Sequence, residues 1–147
     1  MPGFKGQSTN SVDDKGRVAI PKRMRSCMRS EANNTLVITR GFEKCIFAYP
    51  LDEWTTIEDH VKSLNPYDRK HRAFTRQFMM WAEEVSIDSK GRISLSRPLL
   101  EYAGIQHTTL LLGSQTYIEI WNPDRFDDYL NEEDMDYESL AAEVMAQ

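Results

Sequence analysis

Two short polar segments carry the residues best suited to chemistry in this chain. Asp13-Asp14-Lys15-Gly16-Arg17 returns 75 positions later as Asp88-Ser89-Lys90-Gly91-Arg92, with Asp, Lys, Gly and Arg each on its counterpart. A guanidinium binds a guanine edge through two parallel hydrogen bonds, and lysine adds a point charge for phosphate. Lys15 and Arg17 are therefore candidates for nucleic-acid contact, with Lys90 and Arg92 as a second set. A carboxylate is repelled by phosphate, so Asp13 and Asp88 suit a structural task. An Asp that opens a turn accepts backbone N–H bonds and can pair with the Arg four residues on. Gly16 and Gly91 supply the positive φ of a tight turn. Asp14 has Ser89 as its counterpart and is read as incidental. On one copy alone, a polar turn is most simply a solvated hairpin tip; the recurrence shifts the reading to nucleic acid.

Further cations follow the first turn. Lys22, Arg23 and Arg25 extend the basic surface, whereas the matching stretch Arg97-Pro98-Leu99-Leu100 has lost most of that charge. The first repeat is thus the expected main DNA surface, unless both turns share one face and read one groove together. Arg69, Lys70, Arg72 and Arg76 crowd another helix, and a basic helical face is more often simply solvated. Catalysis finds little support. His60, His71 and His107 lie far apart without metal-ligand spacing, no phosphate loop or nucleophile motif is present, and Glu84 beside Asp88 reads as surface. No enzyme, cofactor or metal is expected.

The elements that must position these residues also recur. Residues that favour strands flank each turn, so each copy reads as strand, turn, strand. Phe4 to Val12 is expected as the first strand, with Pro2-Gly3 frayed before it. Arg17 to Ile20 is the return strand, and Pro21 ends it because proline has no N–H for a ladder. Met24, Cys27 and Met28 have helical spacing, as do Leu99, Tyr102 and Ala103, so each return strand feeds a short helix, the first running to about Ser30. Leu36 to Thr39 and Cys45 to Tyr49 flank Gly41 as a second hairpin. Trp54, Ile57, Val61 and Leu64 mark a helix stopped by Asn65-Pro66. Phe74, Phe78, Trp81 and Ala82 mark the apolar face of the next. The second repeat runs through strands at Val85–Ile87, Arg92–Leu95, Thr109–Leu112 and Tyr117–Trp121. Gly104 is placed as a helix C-cap, and Asn122-Pro123 opens a helix carrying Phe126, Tyr129 and Leu130. Tyr137, Leu140, Ala141 and Val144 suit a last short amphipathic helix.

A chain of 147 residues with 40% hydrophobic content can bury a core as one domain or two intimate halves. Cys27 and Cys45 give no disulfide framework, Cys27 is expected as a small buried hydrophobe, and no apolar run approaches a membrane span; the cytosol is the expected compartment. The net charge of −5 argues against a nucleic-acid partner only as a single number. Residues 1–30 hold seven Lys and Arg against two Asp, a net +5. Residues 122–147 hold nine Asp and Glu against one Arg, a net −8. A basic front and an acidic tail share one chain.

Asp-x-Lys-Gly-Arg, followed by a β-branched strand, Ile20-Pro21 and the basic helix Lys22-Arg23-Met24-Arg25, resembles the AbrB-type swapped-hairpin DNA-binding domain. Two such units joined by Tyr49-Pro50-Leu51-Asp52-Glu53-Trp54 are similar to the MraZ family, a likeness that covers most of the chain. The resemblance implies an α+β, mainly β fold: a pseudo-two-fold pair of AbrB-like units of the double-split β-barrel type with flanking helices. The expected divisions are 4–54 and 83–130 for the repeats, 55–82 for a helical connection packed with them, and 131–147 for the acidic tail. The implied function is a sequence-specific transcriptional regulator of a division and cell-wall gene cluster. It would bind short repeated operator elements in double-stranded DNA as a ring-shaped homo-oligomer, an octamer being one closure, in the nucleoid. The competing reading is an oligomeric protein-interaction scaffold without specific DNA binding. Neither a membrane nor a small-molecule substrate is expected as a partner.

Overall fold

The computed structural model describes residues 3–147, so Pro2, expected to fray, lies outside the described residues. Eight strands and six α-helices follow in two rounds. The first is β1 (Gln7–Ser11), β2 (Arg17–Ala19), α1 (Lys22–Arg25), β3 (Thr35–Arg40), β4 (Ile46–Pro50), α2 (Leu51–Lys62) and α3 (Arg69–Met79). The second repeats the order with β5 (Glu83–Ser86), β6 (Arg92–Ser94), α4 (Arg97–Ala103), β7 (Thr108–Ser114), β8 (Tyr117–Trp121), α5 (Pro123–Leu130) and α6 (Tyr137–Met145).

Strand pairing crosses between the rounds. The main sheet has the order β1-β7-β8-β4-β3-β5, and β2 pairs with β6 in a separate two-stranded ribbon. Exchanging each strand for its repeat counterpart returns the same order reversed, which is a pseudo-two-fold axis. The two arms around each turn separate: Val12 bridges Val18 and Asp13 N–H donates to the Arg17 carbonyl at 3.0 Å, but β1 then joins β7 and β2 joins β6. The expected strand from Phe4 to Val12 is correspondingly shorter, with Phe4 bridging Gln115 on its own. Both sheets remain open, with β1 and β5 as edges of the larger one, and the mainly β, α+β class holds without ladder closure.

Alternation along the strands explains the layering, because successive side chains leave opposite faces of a sheet. Leu36 and Ile38 of β3, Ile46 and Ala48 of β4, Leu111 of β7, and Ile118 and Ile120 of β8 join Val18, Ile20, Met24, Ile93, Leu95 and Leu99 in one shared core. Val37, Phe47, Tyr49 and Trp121 face the other way, beneath Trp54 of α2 and Phe78 of α3. The sheet is buried on both faces, by the ribbon with α1 and α4 on one side and by α2, α3 and α5 on the other. Burying each Ile or Leu of the shared core contributes about 1.5–3 kcal/mol.

Several local expectations change. The first helix stops after one turn: Ser26 Oγ turns back to the Lys22 carbonyl at 2.8 Å, and the bonds from Cys27 N–H to Met24 and Met28 N–H to Arg25 are of the tighter i to i+3 kind. Trp81 and Ala82 fall beyond α3, although both pack on the cores as apolar residues. In the β3–β4 turn the left-handed residues are Glu43 and Lys44, and Gly41 is instead where an added Cβ would sit 2.6 Å from the Phe47 ring. Cys27 is half-buried, while Cys45 is fully buried and its thiol pKa is pushed up by desolvation. Gly104 caps α4 with φ 67°, and Asn122 caps α5 by accepting from Asp124 N–H at 2.8 Å. The last helix forms with no buried residue.

Candidate nucleic-acid interface

Each turn is built around one carboxylate. Asp13 Oδ1 accepts from the backbone N–H groups of Lys15 at 3.0 Å and Arg17 at 2.8 Å, and Oδ2 accepts from Arg17 Nε at 2.7 Å. Asp88 repeats this with Lys90 N–H, Arg92 N–H and Arg92 Nε, each at 2.9 Å. The glycines close the turns from left-handed backbone, Gly16 at φ 78° and Gly91 at φ 79°, donating to the Asp13 and Asp88 carbonyls. A charge-assisted Nε contact leaves the two Nη groups of each guanidinium for another partner while fixing its plane. The side chains of Arg17 and Arg92 are 31% and 26% exposed.

The pseudo-two-fold brings the two turns together. Leu95 N–H donates to the Gly16 carbonyl and Ile20 N–H to the Gly91 carbonyl, both at 2.8 Å. Between these bonds the ribbon pairs Arg17 with Ser94, Val18 with Ile93 and Ala19 with Arg92. Val18 and Ile93 point into the core, so the arginines lie on the outer face of the ribbon. Arg92 Nη1 also reaches 4.0 Å from Asp13 Oδ2, so one carboxylate serves both arginines. Lys15 and Lys90 are exposed at the tips, and neither forms an ion pair among the described residues.

The cations after the first turn divide. Lys22 is exposed, and Arg23 donates to the Gln7 carbonyl. Arg25 is half-buried, with Nε on the Ile20 carbonyl at 2.9 Å and its guanidinium against Gly91 of the other repeat. Leu100 occupies the equivalent place beside Gly16. Arg69, Lys70, Arg72 and Arg76 are carried on α3, which packs through Phe78 on the sheet face opposite the ribbon. α5 uses the same opposite face through Phe126 and Tyr129, which puts Asp124, Asp127 and Asp128 away from the turns. Sequence reasoning passed over Ala19 and Ser94, although the alternation Arg-Val-Ala-Ile and Arg-Ile-Ser-Leu already set them on the arginine side.

The electrostatics favour ordered, ionised turns. The Asp13 carboxyl is held below its ordinary value of 3.8, above all by the Arg17 backbone N–H; desolvation opposes this, and the Arg17 side chain and Lys15 N–H add to the lowering. The Arg92 and Lys90 groups lower Asp88 in the same way. A depressed carboxylate stabilises the fold fully above its unfolded pKa and loses that contribution as pH falls through the folded value. Acid titration is therefore expected to disorder the turns only below about pH 4. The check is the amide NMR signals of Lys15, Arg17, Lys90 and Arg92; a transition centred near pH 6 would contradict the clamp.

The histidines stand apart from one another among the described residues. His71 Nδ1 accepts from Asn65 N–H at 2.9 Å, and His60 and His107 are exposed on separate elements. Among the described residues no group of three His, Cys, Asp or Glu is placed to hold a metal, and no helix is long and apolar enough to cross a membrane.

Comparison with known proteins matches the chain to the family model of the MraZ protein, described as antitoxin-like, twice, over residues 4–77 and 78–146. The transcriptional regulator MraZ of Acetivibrio thermocellus is 37% identical over 141 residues, covering 96% of either chain. The proteins of that name from Natranaerobius thermophilus and Clostridium tetani are each 34% identical, over 97% and 96% of this chain and 96% of their own.

Proposed function

This chain belongs to the MraZ family, and on that premise we propose that it is a transcriptional regulator that reads double-stranded DNA with the β2–β6 ribbon. The observation that carries the reading is the union of two identical, carboxylate-clamped Lys-Gly-Arg turns on one ribbon, across a pseudo-two-fold axis. The major groove, about 12 Å wide, admits a two-stranded ribbon. Arg17 with its Nη groups and Arg92 with the one not turned to Asp13 meet base edges, while Lys15, Lys90 and Lys22 meet phosphates. Arg23 and Arg25 reach the backbone only with their remaining donors, and Arg25 also holds the second turn in place. Asp13, Asp88, Gly16 and Gly91 shape the turns. Asp124, Asp127 and Asp128 of α5, on the opposite sheet face, repel phosphate where they stand, beside the cations of α3.

The ribbon is a small basic surface on a chain of net charge −5 and binds weakly alone. Homo-oligomers on repeated elements overcome this, since linked units raise avidity by about 10²–10⁴ when their spacing lets them engage together. The protein accordingly acts as a cytoplasmic, nucleoid-associated oligomer, and the ring implied by the family is one geometry that supplies the linkage.

Arg17→Ala is expected to weaken specific binding by about 1–3 kcal/mol, the worth of a bidentate base contact, and Arg92→Ala by less because fewer cations flank the second turn. Lys22→Ala is expected to flatten the salt dependence, by about 0.9 in log K per log salt for the lost phosphate contact. Fluorescence titrations with a duplex selected from random sequence, at several salt concentrations, test both. Wild-type affinity in the two arginine variants would leave only the scaffold reading.

A further inference from the structure

The ribbon is two-fold in its arginines but not in the residues beside them. Along residues 17–19 and 92–94 the burial alternates: a half-buried arginine, then Val18 or Ile93 at 0% and 1% exposure, then an exposed residue. Side chains two apart on a strand leave the same face, so Ala19 lies on the outer surface with Arg17, and Ser94 with Arg92. The register sets Ser94 directly across from Arg17 and Ala19 directly across from Arg92. Cross-strand neighbours have Cβ atoms about 4.5–5.5 Å apart, so each arginine shares its end of the ribbon with one small residue. One end therefore offers a guanidinium and a hydroxyl, the other a guanidinium and a methyl.

The methyl end is also the better anchored. Asn10 Nδ2 donates to the Ala19 carbonyl at 2.7 Å, and Asn10 Oδ1 accepts from Ser8 Oγ at 3.1 Å. Val85 stands at the position equivalent to Asn10 and has no side-chain group to make such a bond.

We propose that Ser94 and Ala19 are specificity-determining residues that give the ribbon a direction on DNA. The hydroxyl of Ser94 hydrogen-bonds a base edge next to the one read by Arg17, and Ala19 meets an apolar edge, of which the thymine methyl is the one in the major groove. The inference rests on the ribbon being the DNA-reading surface. A reader with identical ends favours a palindrome, as two-fold proteins do; this one selects an element whose halves differ at the positions facing residues 19 and 94.

Binding selection from random duplexes with the full-length wild type, Ser94→Ala and Ala19→Ser tests it. Both positions are exposed, so thermal melting curves should superimpose on wild type. The wild type should select an element without two-fold symmetry. Ser94→Ala should lower discrimination at one base position by about fivefold or more, and Ala19→Ser should alter preference at the position equally far from the centre on the other side. The proposal is overturned if the wild-type element is a palindrome, if both variants select the wild-type element, or if both alter the same position. Selection of no element at all by the wild type would instead refute the DNA-reading function, and this inference with it.

Discussion

Expressed apart, residues 1–80 and residues 81–147 are each expected to remain unfolded, and to regain the native circular dichroism spectrum only when mixed. The cut respects the sequence repeat but severs the pairing. In the first fragment β1 lacks β7 and β2 lacks β6, and in the second β5 lacks β3. What remains in each is one two-stranded hairpin, β3–β4 or β7–β8, with its own helices, and a two-stranded hairpin is marginal in water. The shared core is also divided. Val18, Ile20, Leu36 and Ile38 come from the first fragment, and Ile93, Leu95, Leu111, Ile118 and Ile120 from the second, all but Leu95 being 0–1% exposed in the whole chain. Each fragment would expose side chains whose burial contributes about 1.5–3 kcal/mol apiece, against a total stability of about 5–15 kcal/mol for a typical domain. A cooperative thermal transition in either fragment alone would show that the repeats are independent domains.

The second large effect separates two glycines with the same backbone conformation. Gly16 and Gly91 have φ 78° and 79°, so alanine at either adopts a left-handed conformation costing about 1–2 kcal/mol. Their surroundings differ. A Cβ on Gly16 would stand 2.7 Å from the Leu95 carbonyl oxygen, which is backbone and belongs to the residue whose N–H bonds the Gly16 carbonyl. A Cβ on Gly91 would stand 2.8 Å from Cζ of Arg25, the far end of a flexible side chain. The first clash yields only if the two turns part, whereas the second is relieved when Arg25 swings toward solvent. Gly16→Ala is therefore expected to cost about 3 kcal/mol or more and Gly91→Ala about 1–2 kcal/mol. Urea unfolding of the two variants measures the difference, and equal or reversed losses would contradict the contact across the pseudo-two-fold. Gly91→Ala has a second consequence, since releasing Arg25 loosens the hold of α1 on the second turn.

Much of this was legible in residues of local consequence. Asn122 and Gly104 act at helix ends through their own side chain or their own φ, and Trp54, Ile57 and Val61 declare a helix by spacing alone. Local chemistry misled where another part of the chain intervened. Gly41 looked like a turn glycine, but it is the Phe47 ring and the Cys45 sulfur that leave no room for a side chain there. Arg25 looked like a member of a solvent-facing basic helix, yet the Ile20 carbonyl and Gly91 draw it inward.

By itself the sequence determined that there are two equivalent turns, that each carries an ionised clamp, and that Val18 and Ile93 face opposite to the arginines. These follow from side-chain hydrogen bonding within five residues and from the two-residue period of a strand, neither of which needs a partner. Tertiary structure decided which strands pair. Alternation states that Arg17 and Ala19 share a face, but it is silent on whether β2 returns along β1 or crosses to β6. That choice was made by burial: only the crossed pairing lets Val18, Ile20, Ile93 and Leu95 reach the core of both repeats at once, and the same crossing places the two Lys-Gly-Arg turns on one surface.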